Sequence, residues 1–586
     1  DFDFNTKTKF YYSPSSNEYV NIIYEKYNDY DYRDAKMLDE RITKGLSKNT
    51  GMRVDDKTTS FVDSSYIYKC TLKDTATTRA IDLRIFLKNG TMYEISTPFD
   101  TTLGLKGWAK GFMETFAPKD TVIGKNIFRN KFGILLEDLT SADTAVRQRA
   151  NISLQNSVEM QKEFTDDFVN FISGKKLGLV NENSRAQLFV NGGTIESDRV
   201  IAPYKELYKQ YTDSFYLQLC LLKGLAYLKT QNSYDAFYDL LMSETPLVGA
   251  ENTVSDIFTV LHDSLELGKK FFPGFLKLTK YDEYRESVYS LMADLVNKKI
   301  LSPQTYTLQK EGILADATLA LKRFNSSSTK ISGQSGDAMA DYYAKELAES
   351  IQSNLQGLTY NNLYKGSNYL RNIEAYNRPV LVNYTYILSP FYKTDEKVKQ
   401  FFSKVSKLKN QNIAMPVAIN LLKQNVVIND TLIPYYSKNK ITRAFFYSEL
   451  EKEKLSDKFD KDYLSQSSLI ESVLSSQKQL SNFYTNDKDK SRKDSLVLIK
   501  EVEAKNKYQS GRLYVYKSYK SKNDEEQWSV AFINSKEKIS SKIEIVSSNF
   551  TVDKTKTEEE NLKELMNYFY LSFRKRTALN ADRGVN

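Results

Sequence analysis

The sequence predicts a mainly α-helical protein: an α-solenoid-like central helical array, flanked at each end by a small α+β domain of antiparallel sheet plus helix. Three observations lead there. From about residue 140 to 485, apolar residues recur at helical spacing in successive amphipathic segments. Residues 61–97 instead alternate apolar and polar side chains around an Asn89-Gly90 pair, a two-residue hairpin signal. Beyond a charged break, TNDKDKSRKDS, four short alternating runs return before a last amphipathic helix.

In chain order, Tyr19–Tyr30 reads as a helix in an otherwise polar lead over 1–60. A small sheet with a helix carrying Trp108, Phe112 and Phe116 should occupy 61–118, the helix lying on the sheet. A first helical array is expected over 119–324. Its first member is one long helix through TAVRQRANISLQNSVEMQKEFTDDFVNFISG, stopped by Gly174. In the next, Leu207, Tyr211, Phe215, Leu222 and Leu225 fall on one face. Gly224, Tyr227, Ala236, Leu240 and Ser243 are spaced as in a tetratricopeptide hairpin, where small residues let two helices approach; no second unit follows. The Ser- and Gly-containing stretch 325–336 reads as a linker, with a second array over 337–485 and a four-stranded α+β domain over 486–586.

Composition excludes more than it identifies. At 586 residues, with 41% hydrophobic and 27% charged residues, the chain is long enough for three to four globular domains of about 150 residues. A single histidine, His262, removes His-based metal cages and most His-relayed chemistry; it sits mid-helix and is expected at the surface or a boundary. Two cysteines, Cys70 and Cys220, make no zinc motif and no disulfide framework, and read as two buried small hydrophobes. The net charge of 83 − 74 = +9 comes mostly from Lys interspersed with Asp and Glu, a mixed surface rather than a basic stripe, so no nucleic-acid partner is expected. Only the tail RKRTALNADR is locally basic. The start at Asp1, without Met, fits a chain trimmed of a leader, or a fragment.

Each candidate motif has a plainer reading. Gly333-Gln334-Ser335-Gly336-Asp337 lies in the linker rather than after a strand, which a serine nucleophile elbow requires. Gly104, Gly107 and Gly111 do not form a phosphate-binding loop. Asp487, Asp489, Ser491 and Asp494 begin like a calcium loop, but Arg492 replaces the needed glycine and Leu498 the bidentate glutamate. Glu163, Asp166 and Asp167 would suit carboxylate hydrolysis only if a second buried carboxylate converged on them. The expectation is therefore no catalytic, cofactor-binding or metal-binding residues, and no cofactor.

Two stretches carry a resemblance. Met415 to Ser472 (MPVAINLLKQNVVINDTLIPYYSKNK…) resembles a helical-repeat segment of large cell-envelope proteins of the Bacteroidota, and QWSVAFINSKEKISSKIEIV…YFYLSFRKR is similar to their C-terminal sheet-plus-helix. Some of those proteins carry a TraB/GumN-type domain ahead of this region; its GTxH-type turn is missing here. The resemblance implies an exported protein of the periplasm or outer membrane. Partners would be other proteins of an envelope complex, with membrane contact only through them or a lipid anchor. The function expected is a scaffold or accessory subunit; the alternative is a carboxylate-based hydrolase of glycans or peptides.

Overall fold

The computed structural model describes residues 6–331, 379–484 and 496–572, with short interruptions at 51, 63–64, 75–77, 119–122, 157–159, 248–253, 409, 427–431, 506–509, 520–525 and 535–538. It is mostly helical, with an antiparallel sheet near each end. Two compact units divide the chain, Asp1–Val260 with Lys575–Asn586, and Leu261–Arg574.

The first unit begins with six strands: β1 (Lys7–Ser13), β2 (Glu18–Lys26), β3 (Arg53–Val62), β4 (Ser65–Lys73), β5 (Arg79–Lys88) and β6 (Thr91–Asp100), ordered β1-β2-β6-β5-β4-β3. The sheet therefore starts well before residue 61. The expected helix over Tyr19–Tyr30 is a correction: Glu18–Lys26 is a strand. Its apolar residues fit both periods, but Val20 and Ile22 are β-branched and lie on one face, beside Ile95 of β6, where the pleat buries them. The Asn89-Gly90 hairpin joins β5 and β6 as expected, with Asn89 left-handed at φ 53°. Gly90 is required by a close approach, since a Cβ there would stand 2.9 Å from the Lys125 carbonyl oxygen.

Central strand β5 is buried on both faces. Ile81, Leu83, Ile85 and Leu87 join Tyr66, Tyr68, Cys70 and Leu72 of β4 in a core covered by α1 (Ala35–Thr50), through Leu38, Ile42 and Leu46. Phe86 faces the other way with Val20, Ile22 and Ile95, and α2 (Gly107–Thr115) covers them through Ala109 and Met113. The helix expected on the sheet is thus present. Trp108 packs on Phe112 at a centroid distance of 5.5 Å.

Helices α3 (Phe132–Asp138), α4 (Thr144–Asn156), α5 (Thr165–Ile172), α6 (Glu182–Gly192), α7 (Ile201–Gln210), α8 (Phe215–Leu228) and α9 (Gln231–Ser243) complete the unit. The single long helix expected to end at Gly174 is two: α4 ends at Asn156, and a short turn, Lys162–Phe164, precedes α5. The break lets Phe164 stack on Phe132 at 4.5 Å, a contact that continuing α4 would not produce. Leu207 and Leu225 likewise lie on separate helices, because the Ser214 hydroxyl caps a new N-terminus by accepting from Leu217 N–H.

The hairpin of α8 and α9 is present, turned by left-handed Lys229 and a Thr230–Ser233 capping box. Gly224, however, does not face α9. A Cβ on it would collide with the Phe189 carbonyl oxygen of α6 and come within 2.7 Å of Tyr204 Cε2. Gly193, which follows α6, and Gly224 bring α6 and α8 into backbone contact, while Gly192 leaves room for the Phe168 and Tyr204 side chains.

In the second unit, α14 (Val380–Leu388) and the stretch Val288–Val296 of α12 (Asp282–Asn297) are buried on nearly all sides and run through the core. Tyr289 and Tyr384 meet at 4.8 Å, and the Tyr289 hydroxyl donates to Asp316 at 2.6 Å. The division between units falls within α10 (Ser255–His262); the second unit also contains α11 (Leu265–Gly268), α13 (Lys310–Ile331), α15 (Glu396–Val405), α16 (Gln411–Lys423), α17 (Leu432–Lys438), α18 (Arg443–Lys452) and α19 (Gln466–Tyr484). The linker expected over 325–336 is corrected in its first part, because α13 continues through Asn325 to Ile331. Its remainder, the helix expected at 337–356, the Gly333–Asp337 turn, the Asp487–Asp494 loop and the basic tail lie outside the described residues.

A four-stranded antiparallel sheet with a helix is present near the C-terminal end, as expected. Strands β7 (Val497–Lys505), β8 (Ser510–Tyr519), β9 (Glu526–Asn534) and β10 (Glu544–Thr551) form a meander ordered β10-β9-β8-β7. Helix α20 (Glu558–Ser572) places Leu565 and Phe569 on Leu513, Val515, Trp528, Val530 and Phe532. Thr557 and Glu560 form its capping box. The sheet is tied to α19, with Gln466 exchanging two hydrogen bonds with Ser540, and Tyr516 donating to the Ser467 carbonyl at 2.7 Å.

Candidate functional site

Helix α15 is built by its own sequence. Asp395 accepts the N–H groups of Lys397 (2.9 Å) and Val398 (3.3 Å), and Val398, Phe401, Phe402 and Val405 form the buried stripe. Its start is fastened to the start of α13 by Lys310 with Asp395 and by Lys397 with Glu311 at 3.3 Å. The Lys310 ammonium holds the Asp395 carboxyl below its usual range, and Lys397 foremost, then Lys310, does the same for Glu311.

Beyond this clamp, α13 and α15 leave between them an open groove of about 470 Å³. Leu314 and Phe401 form its buried floor, Leu319 stands 44% exposed beside it, and Lys322, Lys397 and Lys404 line the rim. Glu311 is the acidic residue of the lining, and two lysines already engage it. The groove is apolar at the bottom and cationic at the edges, and among its described lining residues none pairs a nucleophile with a base.

The described residues among those singled out from sequence are not brought together. Glu163, Asp166 and Asp167 are all exposed, and Asp166 pairs with Arg199 across the surface. Cys70 and Cys220 are buried, as expected, and are not bridged; burial pushes both thiols up to about 11. His262 departs from expectation. It is buried, and its Nδ1 lies 2.9 Å from Asp294 Oδ2 on α12, a link between two helices. Among the described residues, no group of three or more His, Cys, Asp or Glu side chains could hold a metal ion, and no helix is long and apolar enough to cross a membrane.

Two buried cations had no sequence signal. Lys131 donates to the carbonyls of Asp31 (2.7 Å), Asn126 (2.6 Å) and Arg129 (3.3 Å); burial lowers its ammonium to about 8, with Asp31 and Asp29 pulling it back up. Arg443 donates to the Ser437 and Lys438 carbonyls at the end of α17, and to Ser468 Oγ on α19. Both are consumed by carbonyl acceptors, so their role is to tie segments together. The groove was partly foreshadowed, since Leu314, Thr318 and Lys322 recur at spacing four along α13.

No known family, curated protein or solved structure matches this chain.

Proposed function

We propose that the protein is a non-enzymatic scaffold or accessory subunit of a bacterial cell-envelope assembly, binding partner proteins through the surfaces of a solenoid-like helical array. The observation that carries this reading is the α13–α15 groove. Its apolar floor and lysine rim suit an amphipathic helix with acidic flanks, laid in with apolar residues downward. Oriented lysines favour encounter and register, while the floor supplies contact area. The envelope setting rests on the resemblance of Met415–Ser472 and of the C-terminal sheet-plus-helix. The hydrolase alternative gains no support from Glu163, Asp166 and Asp167, which face solvent.

The test is crosslinking mass spectrometry on complexes captured from gently solubilised source membranes, using the wild type and a Lys322→Glu/Lys404→Glu variant. A partner should crosslink next to the groove through an acidic helical segment, and the charge reversal should abolish that link while leaving folding intact. Crosslinks that are absent, or identical in the variant, would overturn the reading.

A further inference from the structure

Helix α2 rests on the first sheet through Ala109 and Met113, which point down onto Val20, Ile22 and Ile95. Trp108, Phe112 and Phe116, spaced by four, form a second row along its flank. Phe112 lies 5.5 Å from Trp108, 6.2 Å from Phe116 and 5.3 Å from Tyr11 of β1. In the turn before the helix, shaped by left-handed Gly104 (φ 70°) and Gly107 (φ 60°), Leu103 stands 63% exposed; Tyr11 is 39% and Trp108 36% exposed. The charges around these residues are one-sided. Lys7, Lys9 and Tyr11 share a face of β1, the face whose partners on β2 include Val20 and Ile22. Lys106 immediately precedes α2. The neighbouring acids are engaged: Glu18 accepts from the Ala109 N–H and the Ser16 hydroxyl, Asp100 from Thr78 and Thr102, and Glu114 lies 3.8 Å from Lys110. Among the described residues, Lys7, Lys9 and Lys106 have no ion-pair partner.

We propose that this ridge seats on an anionic lipid surface. Leu103 and Trp108 enter the boundary between headgroups and acyl chains, and Lys7, Lys9 and Lys106 meet the headgroup phosphates. Charge and shape together select the occupant. Unpaired lysines beside exposed apolar side chains match a surface that is anionic outside and apolar beneath, because the aliphatic stems lie along the apolar layer while the ammonium groups reach the phosphates. An indole, apolar in body with one polar edge, favours that same boundary. A helical peptide would need a groove, and stacked bases would need open ring faces. Here α2 stands on top of the sheet, Phe112 already has three rings around it, and Leu103 offers no ring. The contact is peripheral, since among the described residues no helix is long and apolar enough to cross a membrane. A lysine close to an anionic surface strengthens binding about fivefold, so three lysines and one short ridge give weak, salt-reversible attachment.

The test incubates the full chain with vesicles of equimolar phosphatidylglycerol and phosphatidylcholine, and with vesicles of phosphatidylcholine alone. Trp108 is a built-in reporter, because the other tryptophan, Trp528, is buried at 1% exposure. The protein should sediment with the anionic vesicles at low salt and be released at high salt. Its emission should shift to the blue on binding and be quenched by lipids brominated near the top of the acyl chains. Lys7→Gln/Lys9→Gln/Lys106→Gln should weaken binding about a hundredfold, at about fivefold per lysine. Leu103→Asp, at an exposed turn position, should abolish the quenching while leaving the circular dichroism unchanged. Four results would each overturn the proposal. They are no binding to anionic vesicles, equal binding to phosphatidylcholine alone, binding that leaves Trp108 unquenched or is indifferent to both variants, and displacement of the vesicles by a single-stranded oligothymidylate that binds the ridge more tightly.

Discussion

Replacing Gly224 by alanine tests the packing of the first unit most directly. The added Cβ would stand 2.7 Å from Tyr204 Cε2 and closer still to the Phe189 carbonyl oxygen. Ordinary contacts begin at about 3.4 Å, so α6 and α8 must separate by roughly 1 Å and the Tyr204 ring must shift as well. That ring has little freedom, because it is fully buried and its hydroxyl donates to the same Phe189 carbonyl. Overpacking of this kind costs about 1–3 kcal/mol, and the upper end is expected because the obstacle includes backbone. Gly111→Ala is the control. That residue lies inside α2, exposed, with no atom within 4 Å of the new Cβ. There the loss of unfolded-state freedom should stabilise by about 0.4–1 kcal/mol. Hydrogen exchange of peptides from residues 182–228 reads the first effect locally, and a urea transition reads both. Opposite signs are expected. A Gly224→Ala protein with unchanged protection across α6 and α8 would refute the contact argument.

Three further outcomes follow from the buried polar contacts. Replacing His262 by Phe or Asp294 by Leu should each cost about 1–3 kcal/mol, since each single change leaves a buried polar group without this partner. The double variant should recover much of the loss, and a double-mutant cycle of urea midpoints that shows simple additivity would argue against coupling. Arg443→Lys should loosen α17 nearly as much as Arg443→Leu, because a single ammonium cannot meet the Ser437, Lys438 and Ser468 acceptors at once; faster hydrogen exchange over 432–442 would register it. Lys131 gives a pH dependence. Its folded pKa, about 8, lies below the ordinary value of 10.5, so the unfolded chain binds more protons between those values and stability should rise with pH across that window. The gain is at most about 3 kcal/mol, reduced by the three carbonyls that favour the ammonium. Lys131→Met should remove this component, visible as the difference between the two proteins' unfolding midpoints at pH 8 and pH 10.

Much of the architecture was legible because it depends on neighbours in sequence. Asn89-Gly90 between apolar runs specifies a hairpin locally, and alternation at both ends specifies strands. The segment around Val20–Tyr24 was ambiguous for a physical reason: Tyr19, Val20, Ile23, Tyr24 and Tyr27 fit a helical stripe as well as Val20 and Ile22 fit a pleat. Pairing with β6 resolved it. The missed helix breaks follow the same logic. Ser214 caps α8, and a turn places Phe164 on Phe132, yet an apolar stripe continues across both.

By itself the sequence determined the helical character and the two terminal sheets. These follow from composition and short-range pattern. Tertiary structure alone decided that Gly224 faces α6, that His262 is paired with Asp294, and that Leu314, Leu319 and Lys322 border an open groove beside α15. The reason is that amphipathic spacing states which face of an element prefers burial. Which neighbour covers that face, how closely two backbones can approach, and which apolar residues are left uncovered depend on contacts between elements far apart in the chain.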